Sequence, residues 1–553
     1  MAGRNGRTSL RRTPWHVGHA LVLVCVLVLS GCGPSADASQ QPGQLISYSE
    51  PDLVNPLRGQ YENLATELFP QSNPEQPHPA WPGTADVGVR LEWRTLQPRD
   101  PRTLPRNAPD DVRFDFTVLD RALEAAQRSG KRVGLRVTSF NSCCEAQYPR
   151  NVDVSVPEWL RTVDGATQTF RHEDVSYVIP DWNNKAYLSY FGELLAALGR
   201  RYDDDERLAW FEMSGYGDFS ENHVAFMRDT LGKPAPAPED SEKTLGYYSQ
   251  YRDQYITKAA VTQLVEANLR AFPHTTLVTA PGNPEITRQL FRDSPALRGR
   301  REPVGIRADG LGAFSPIPTW AEHPDSWYVK NRDPIVNVVV NRYRTAPIIT
   351  EWIPNPPEPE DPMTYYRRGL RDVVNRHVSM TSSTGFPGQL QDRPMPDDQY
   401  RVWAKANKFS GYRYAATATQ PSFDVAASDR TRVTVRWRNL GSAPAYERWQ
   451  PVYDIIGSDG RTVRTLPARI DLRSLVADQR FEDDSDEPAV ASTDDVLTVA
   501  PGLPAGTYQI RTRVLWHEHK PNATVTVDFP PMQLSQTGRD AAGSYPVATL
   551  TVR

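Results

Sequence analysis

The chain has 553 residues, more than one hydrophobic core usually organises, so two domains are expected. Its 63 Lys and Arg stand against 67 Asp and Glu, a formal charge of -4 with no basic block. That balance excludes nucleic acid as an electrostatically recruited partner.

The amino terminus is basic (Arg4, Arg7, Arg11, Arg12), an apolar stretch runs from Ala20 to Leu29, and Ser30-Gly31-Cys32 follows. The apolar stretch is shorter than the roughly 20 residues a spanning helix needs, and its layout is that of a removable signal. The order basic, apolar, small, Cys resembles a bacterial lipoprotein signal. That resemblance implies that residues 1–31 are cleaved, that the Cys32 thiol carries lipid, and that the mature protein sits outside the cytoplasm on the bacterial cell membrane. Residues 32–50, opening with Ser, Ala, Gly, Pro and Gln, are expected to be a flexible tether. Of the four Cys, only Cys143 and Cys144 then remain, so no long-range disulfide can staple the fold. A bridge between adjacent residues is strained, since their Cα atoms sit about 3.8 Å apart, and two free thiols are the alternative. No Cys or His spacing suits zinc, and no metal or other cofactor is expected.

Residues 51–415 alternate short apolar runs with amphipathic helices. The runs are Gln60 to Leu64, Val87 to Trp93, Arg132 to Val137, Leu208 to Ser214, Thr276 to Ala280, Val304 to Ala308, Pro347 to Thr350 and Val378 to Ser382. Leu119, Ala122, Leu123 and Ala126 recur at helical spacing ahead of Gly130, and Tyr187, Tyr190, Phe191, Leu194 and Leu198 do the same. Helices are also expected over Tyr255 to Leu269 and Tyr365 to Val374. Eight strands in such a series predict a TIM (β/α)₈ barrel of the α/β class, with long loops after the third and fourth strands. An open doubly wound sheet would carry a Gly-rich first turn, which is absent.

From residue 416 to 553 the period changes. Val433, Val435 and Trp437 alternate with Arg432, Thr434 and Arg436, and later runs begin at Gly506 and Val547. Short strands between Gly, Pro and Asp clusters predict an all-β, immunoglobulin-like sandwich. The acidic segment Glu482 to Glu487 reads as a solvated loop more readily than as a cation site.

Val89 to Pro98 (VRLEWRTLQP), then Phe114-Asp115-Phe116 and Leu119-Asp120, resemble the second strand, turn and helix of clan A glycoside hydrolases of the β-galactosidase type. More narrowly, Asn55-Pro56-Leu57-Arg58-Gly59, the turn Gly305 to Gly310 and the C-terminal sandwich resemble an uncharacterised group of exported bacterial barrel proteins. The resemblance implies an acid/base Glu after the fourth strand and a nucleophilic Glu after the seventh, which match Glu221 and Glu351. Asp218 competes with Glu221, because Ser220 stands where the family has Asn, and Glu212 on the strand itself is a third carboxylate. Hydrolysis of a glycosidic bond needs one carboxyl to protonate the leaving oxygen and another to attack the anomeric carbon, from about 5 Å away in a retaining enzyme.

Arg307 and Asp309 end the sixth strand, where barrels build sites, and are candidates to hold sugar hydroxyls. Arg136 and Arg90 lie at inward-compatible positions, His223 follows the Glu221 loop, and Trp93, Trp182 and Trp352 are candidate stacking faces. The expected function is cell-surface glycoside hydrolysis on a carbohydrate. The alternative is a glycan-binding or polysaccharide-assembly lipoprotein on the same barrel. A peptidase reading has neither a Gly-x-Ser-x-Gly elbow nor His-Glu-x-x-His behind it.

Overall fold

The computed structural model describes residues 43–46, 52–64, 81–142, 152–225, 227, 256–353, 359–387, 396–476, 481, 490–499 and 502–553. Cys32 and the signal expected before it, Cys143 and Cys144, and the acidic segment 482–487 lie outside the described residues.

The strands in chain order are β1 (Gly59–Leu64), β2 (Thr84–Glu92), β3 (Arg132–Thr138), β4 (Val152–Asp153), β5 (Thr167–His172), β6 (Val175–Pro180), β7 (Leu208–Glu212), β8 (Thr276–Thr279), β9 (Gly305–Leu311), β10 (Ile348–Trp352) and β11 (Met380–Ser382). Eight of them close into a parallel barrel, in the order β1, β2, β3, β7, β8, β9, β10, β11 and back to β1. These are the eight expected runs with their ends moved slightly. One end differs in kind: β2 stops at Glu92, and Trp93 opens a short helix, Trp93–Leu96. The connection after β3 was expected as a loop, but β4, β6 and β5 form a small sheet of their own there.

The helices follow from apolar spacing and caps. In Thr117–Arg128 the residues Leu119, Ala122, Leu123 and Ala126 are buried, one stripe against the sheet. Burying each Leu contributes roughly 1.5–3 kcal/mol. Helix Lys185–Tyr202 starts where the Asn184 side chain accepts from Ala186 and Tyr187 N–H. Helix Lys258–Ala271 is capped by Thr257, and Pro362–Asn375 by Asp361 ahead of an N1 proline.

The interior of the barrel is layered by the two-residue period of its strands. Leu57, Tyr61, Ala209, Trp210, Val278, Ile349 and Met380 form an apolar plug, with Tyr61 and Trp210 meeting edge to face at 5.8 Å. Two residues further along their strands come Asn63, Glu212 and Glu351, and two beyond Gly88, Gly134 and Gly305 come Arg90, Arg136 and Arg307. The polar layer therefore lies above the plug, at the C-terminal mouth.

The remaining strands are β12 (Tyr414–Ala418), β13 (Ser422–Val425), β14 (Thr431–Asn439), β15 (Trp449–Ile456), β16 (Thr462–Pro467), β17 (Ala491–Val499), β18 (Gly506–Trp516) and β19 (Tyr545–Val552). One sheet is β12-β14-β17 and the other β13-β19-β18-β15-β16, a β-sandwich. Val433, Val435 and Trp437 are buried between them, while Arg432 and Arg436 are exposed, as the alternation requires.

The sandwich covers the N-terminal end of the barrel. Arg132, at the start of β3, binds Glu447 at 2.7 Å, and Arg301 binds Glu518 at 2.5 Å. Glu206, just before β7, accepts from the backbone N–H of Lys520 (2.9 Å) and Val527 (2.8 Å). The Asn55 to Gly59 motif belongs to this seam: Asn55 exchanges two hydrogen bonds with the Gln533 backbone. The buried Arg58 guanidinium donates to Leu53 O and Lys408 O and pairs with Asp52, which also binds Arg413.

Candidate active site at the barrel mouth

Three arginines and three glutamates interlock at the mouth. Arg90 binds Glu351, and Glu351 also binds Arg307. The Arg307 Nε is 3.2 Å from Glu212, and Glu212 receives a forked pair from Arg136 at 2.6 and 2.9 Å. Arg136 Nη1 then reaches Glu221 at 2.7 Å. Arg307 Nη2 lies 3.9 Å from Glu221 while bonded to Glu351, so one guanidinium nitrogen spans the two expected catalytic carboxylates. Asn63 Nδ2 donates to the other Glu351 oxygen at 2.7 Å. The free space among Tyr61, Arg136, Glu212, Arg307 and Glu351 is about 20 Å³, room for a water molecule and none for a sugar ring.

Glu221 reaches this layer because its loop is bent against its preferences. Phe219, Ser220 and Asn222 all have left-handed backbones, with φ of 54°, 60° and 60°, each costing on the order of 1–3 kcal/mol. Gly217, at φ 83°, lies so close to the His223 backbone that a Cβ would sit 2.1 Å from its carbonyl oxygen. Hydrogen bonds enforce the shape: Asp218 N–H to His223 O (2.7 Å), Phe219 N–H to Phe140 O (3.0 Å) and Ser220 Oγ to Val137 O (2.9 Å). His223 Nε2 is 3.3 Å from Glu221, and its Nδ1 is 3.6 Å from Asp218, which is fully buried.

Electrostatics separate the carboxylates. Burial works to raise the Glu221 carboxyl, but Arg136, His223 and Arg307 outweigh it and hold it well below the usual range. Burial also opposes ionisation of Glu351, and Arg90, Arg307 and Arg136 overcome it against the repulsion of Glu221. Asp309 goes the other way. Lost hydration in its protein-walled recess, then the negative Glu221 and Glu351, push it up to about 7 against the pull of Arg307 and Arg90. Solvent still reaches this side chain, which is exposed at the rim.

The register explains the aim of Asp309. Thr350 faces Ala308 and Trp352 faces Leu311, so Asp309 and Gly310 together oppose Glu351. That is a bulge in β9, with Gly310 at φ 72° supplying the left-handed residue.

The expected site residues are therefore sorted. Glu351, Glu221, Arg307, Arg136 and Arg90 meet in one layer, and Glu212 joins them as the central bridge. Arg307 pairs with Glu212 and Glu351. Trp93, Trp182 and Trp352 are each 0% exposed and offer no stacking face. Trp93 packs on Trp159, Tyr187 and Phe191, Trp182 on Phe140 and Tyr216, and Trp352 on Tyr365 and Tyr366. Sequence reasoning missed Asn63, although its two-residue offset from the buried Tyr61 marked it as inward-facing. It also missed Phe314, an exposed aromatic in the turn after β9.

No family model and no curated protein matches the chain. Among solved structures it is similar to the catalytic domain of a beta-amylase from Paenibacillus polymyxa, at 9% identity over 59% of this chain and 92% of that one, TM-score 0.35. It is also similar to a calcium-binding mutant of Bacteroides uniformis beta-glucuronidase 2, at 10% identity over 90% and 46%, TM-score 0.26. A third is the alpha-N-acetylgalactosaminidase NagBb from Bifidobacterium bifidum, at 12% identity over 70% and 56%, TM-score 0.25. Likenesses this distant carry no argument about chemistry, which rests on the site itself.

Proposed function

We propose that the protein is a glycoside hydrolase whose anionic centre is Glu351. The observation that supports this reading is the convergence of Glu351, from the end of β10, and Glu221, from a strained loop after β7, on one nitrogen of Arg307. Strain of this kind persists where the surrounding structure enforces it, and it gathers at functional sites. In the proposed reaction a Glu351 oxygen forms a bond to the anomeric carbon as the bond from that carbon to the leaving oxygen breaks. The leaving group takes a proton from a carboxylic acid and departs as an alcohol. Water then replaces Glu351 on the sugar, returning one proton to the acid. Arg90 and Arg307 keep Glu351 ionised before the attack and hold its carboxylate in place.

One observation favours a second reading, glycan binding without turnover. Glu212, Glu221 and Glu351 each carry an arginine partner, as a purely structural lattice would. A panel of chromogenic glycosides and cell-envelope polysaccharides separates the two. Turnover by the wild-type protein that disappears in Glu351→Gln, with the fold intact, supports the hydrolase. Saturable binding of a glycan without release of any product establishes the binding reading in its place.

A further inference from the structure

Resting on the hydrolase reading, we propose that Asp309 is the proton donor of this site and that Phe314 beside it is the platform for the leaving group. Arginines already engage the other carboxylates of the layer. A general acid must hold a proton in the resting site and release it to the glycosidic oxygen. Glu221 and Glu351 are each bound to a guanidinium, which stabilises the ionised form, and Glu212 is held between two arginines, Arg136 and Arg307. Among the described residues Asp309 forms no ion pair with Arg or Lys, and its side chain accepts the Gly310 N–H at 2.7 Å.

Its position suits the task. The bulge in β9 sets Asp309 opposite Glu351, and the side chain opens to solvent above the ionic layer. Among the described residues that layer leaves space for about one water, and the proposal seats the sugar on top of it, at the level of Asp309. The charged and titratable groups facing Asp309 are Glu221 from the β7 loop, Glu351 from β10, Arg307 from β9 and Arg90 from β2, with Tyr365 from the helix Pro362–Asn375. The two negative groups oppose loss of the proton, and the upward shift to about 7 agrees with the geometry.

Phe314 supplies what the three buried tryptophans do not. It is 64% exposed, the most exposed of the large hydrophobic side chains among the described residues. Its N–H donates to Gly310 O at 2.8 Å, which closes a tight turn. The ring lies directly on Gly310, where a Cβ would meet it at 2.5 Å. A flat apolar face fixed next to the acid is suited to the C–H face of a pyranose. The substrate implied is a glycoside with a sugar or aryl leaving group, one whose departing oxygen needs a proton.

The Asp309 proton passes to the glycosidic oxygen while the bond between that oxygen and the anomeric carbon breaks, and the electron pair stays on the oxygen of the released alcohol. Asp309, now ionised, later takes a proton from the water that attacks the anomeric carbon.

Leaving-group dependence tests the assignment, using a glycoside the wild type cleaves. For Asp309→Asn, kcat/KM should fall by roughly 10²–10⁴-fold on a disaccharide or alkyl glycoside and change little on the dinitrophenyl glycoside, whose leaving group needs no proton. Phe314→Ala should raise KM for the disaccharide several-fold with kcat nearly unchanged. Equal losses on both substrates would reduce Asp309 to a structural role, and the leaving-group split appearing instead in Glu221→Gln would move the acid there. A wild type that cleaves no glycoside sinks the hydrolase reading itself, a different result from any pattern among the variants.

Discussion

The two ends of the barrel are built from the same chemistry and put it to different use. At the N-terminal end Arg132 lies between Asp86 and Glu447, Arg301 meets Glu518, and Lys520 donates to Asp205 O, Leu208 O and Thr275 Oγ1. Most of these pairs join barrel to sandwich. At the C-terminal end every ion pair of the layer lies within the barrel, and the left-handed Phe219, Ser220 and Asn222 stand beside it. Buried ion pairs add little net stability over an apolar isostere, because desolvation offsets the attraction. At one end they bind barrel to sandwich, while the other end keeps its charges under a solvent-exposed acid. Buried charge alone therefore does not mark a site. Charge combined with enforced strain and an open rim does.

The sharpest way to break this comparison is to remove one arginine from each end. Arg307→Met removes the cation shared by Glu212 and Glu351, leaving each a single arginine, and Arg132→Met removes the cation shared by Asp86 and Glu447. Each should cost about 3–5 kcal/mol in urea unfolding. Activity per folded molecule should vanish in the first and survive in the second. Equal losses of activity would erase the distinction between the ends.

A smaller effect is expected from the loop. Gly217→Ala forces a Cβ onto the His223 carbonyl at a φ that alanine avoids, and should cost on the order of 1–3 kcal/mol while displacing Glu221. Unchanged stability and activity would show that the loop is not held as tightly as its hydrogen bonds indicate.

Acid and base should then act on opposite ends. Glu221 and Glu351 have folded-state pKa values below the unfolded carboxylate value of 4.5. Their contribution to stability is present above that value and is lost as pH falls through the folded values. Burial pushes Lys520 down to about 8 from 10.5, with Arg132 adding to it against Asp203 and Asp205. Between those values the unfolded chain binds more protons, so this group makes stability rise with pH across the window. Lys520→Met should remove that rise and leave the acid limb alone, and urea midpoints measured from pH 4 to about 10 test both. The smallest effect belongs to the surface of the sandwich, where the exposed Arg436 and Asp494 pair at 2.8 Å. Arg436→Gln should leave the urea midpoint where it is.

Much of this was legible in the sequence, and what was not has physical reasons. The eight strands declared themselves because parallel strands covered on both faces read as continuous apolar runs. The convergence of Glu221 and Glu351 was anticipated by a resemblance, and the inward aim of Glu212 by its alternation with Phe211 and Met213. The three tryptophans were misread because an indole buried in a core and one lining a cleft have the same sequence neighbours; the contacts of Trp93 with Tyr187 and Phe191 come from a helix about a hundred residues away. The bulge at Asp309 was invisible because register is a property of two strands, and the sequence displays one at a time.

One seam has a mechanical meaning. The segment Gly43–Ile46 is stitched to the sandwich: Gly43 N–H donates to Thr537 O, Ile46 N–H to Ser535 O, and Thr537 N–H to Gln44 O. Tension applied to the chain upstream of Gly43 is thus received by the sandwich, at the closed end of the barrel. The load path passes through Asn55, Arg58 and Arg413 before it meets the first barrel strand. Among the described residues the mouth, at the far end, contributes none to that seam.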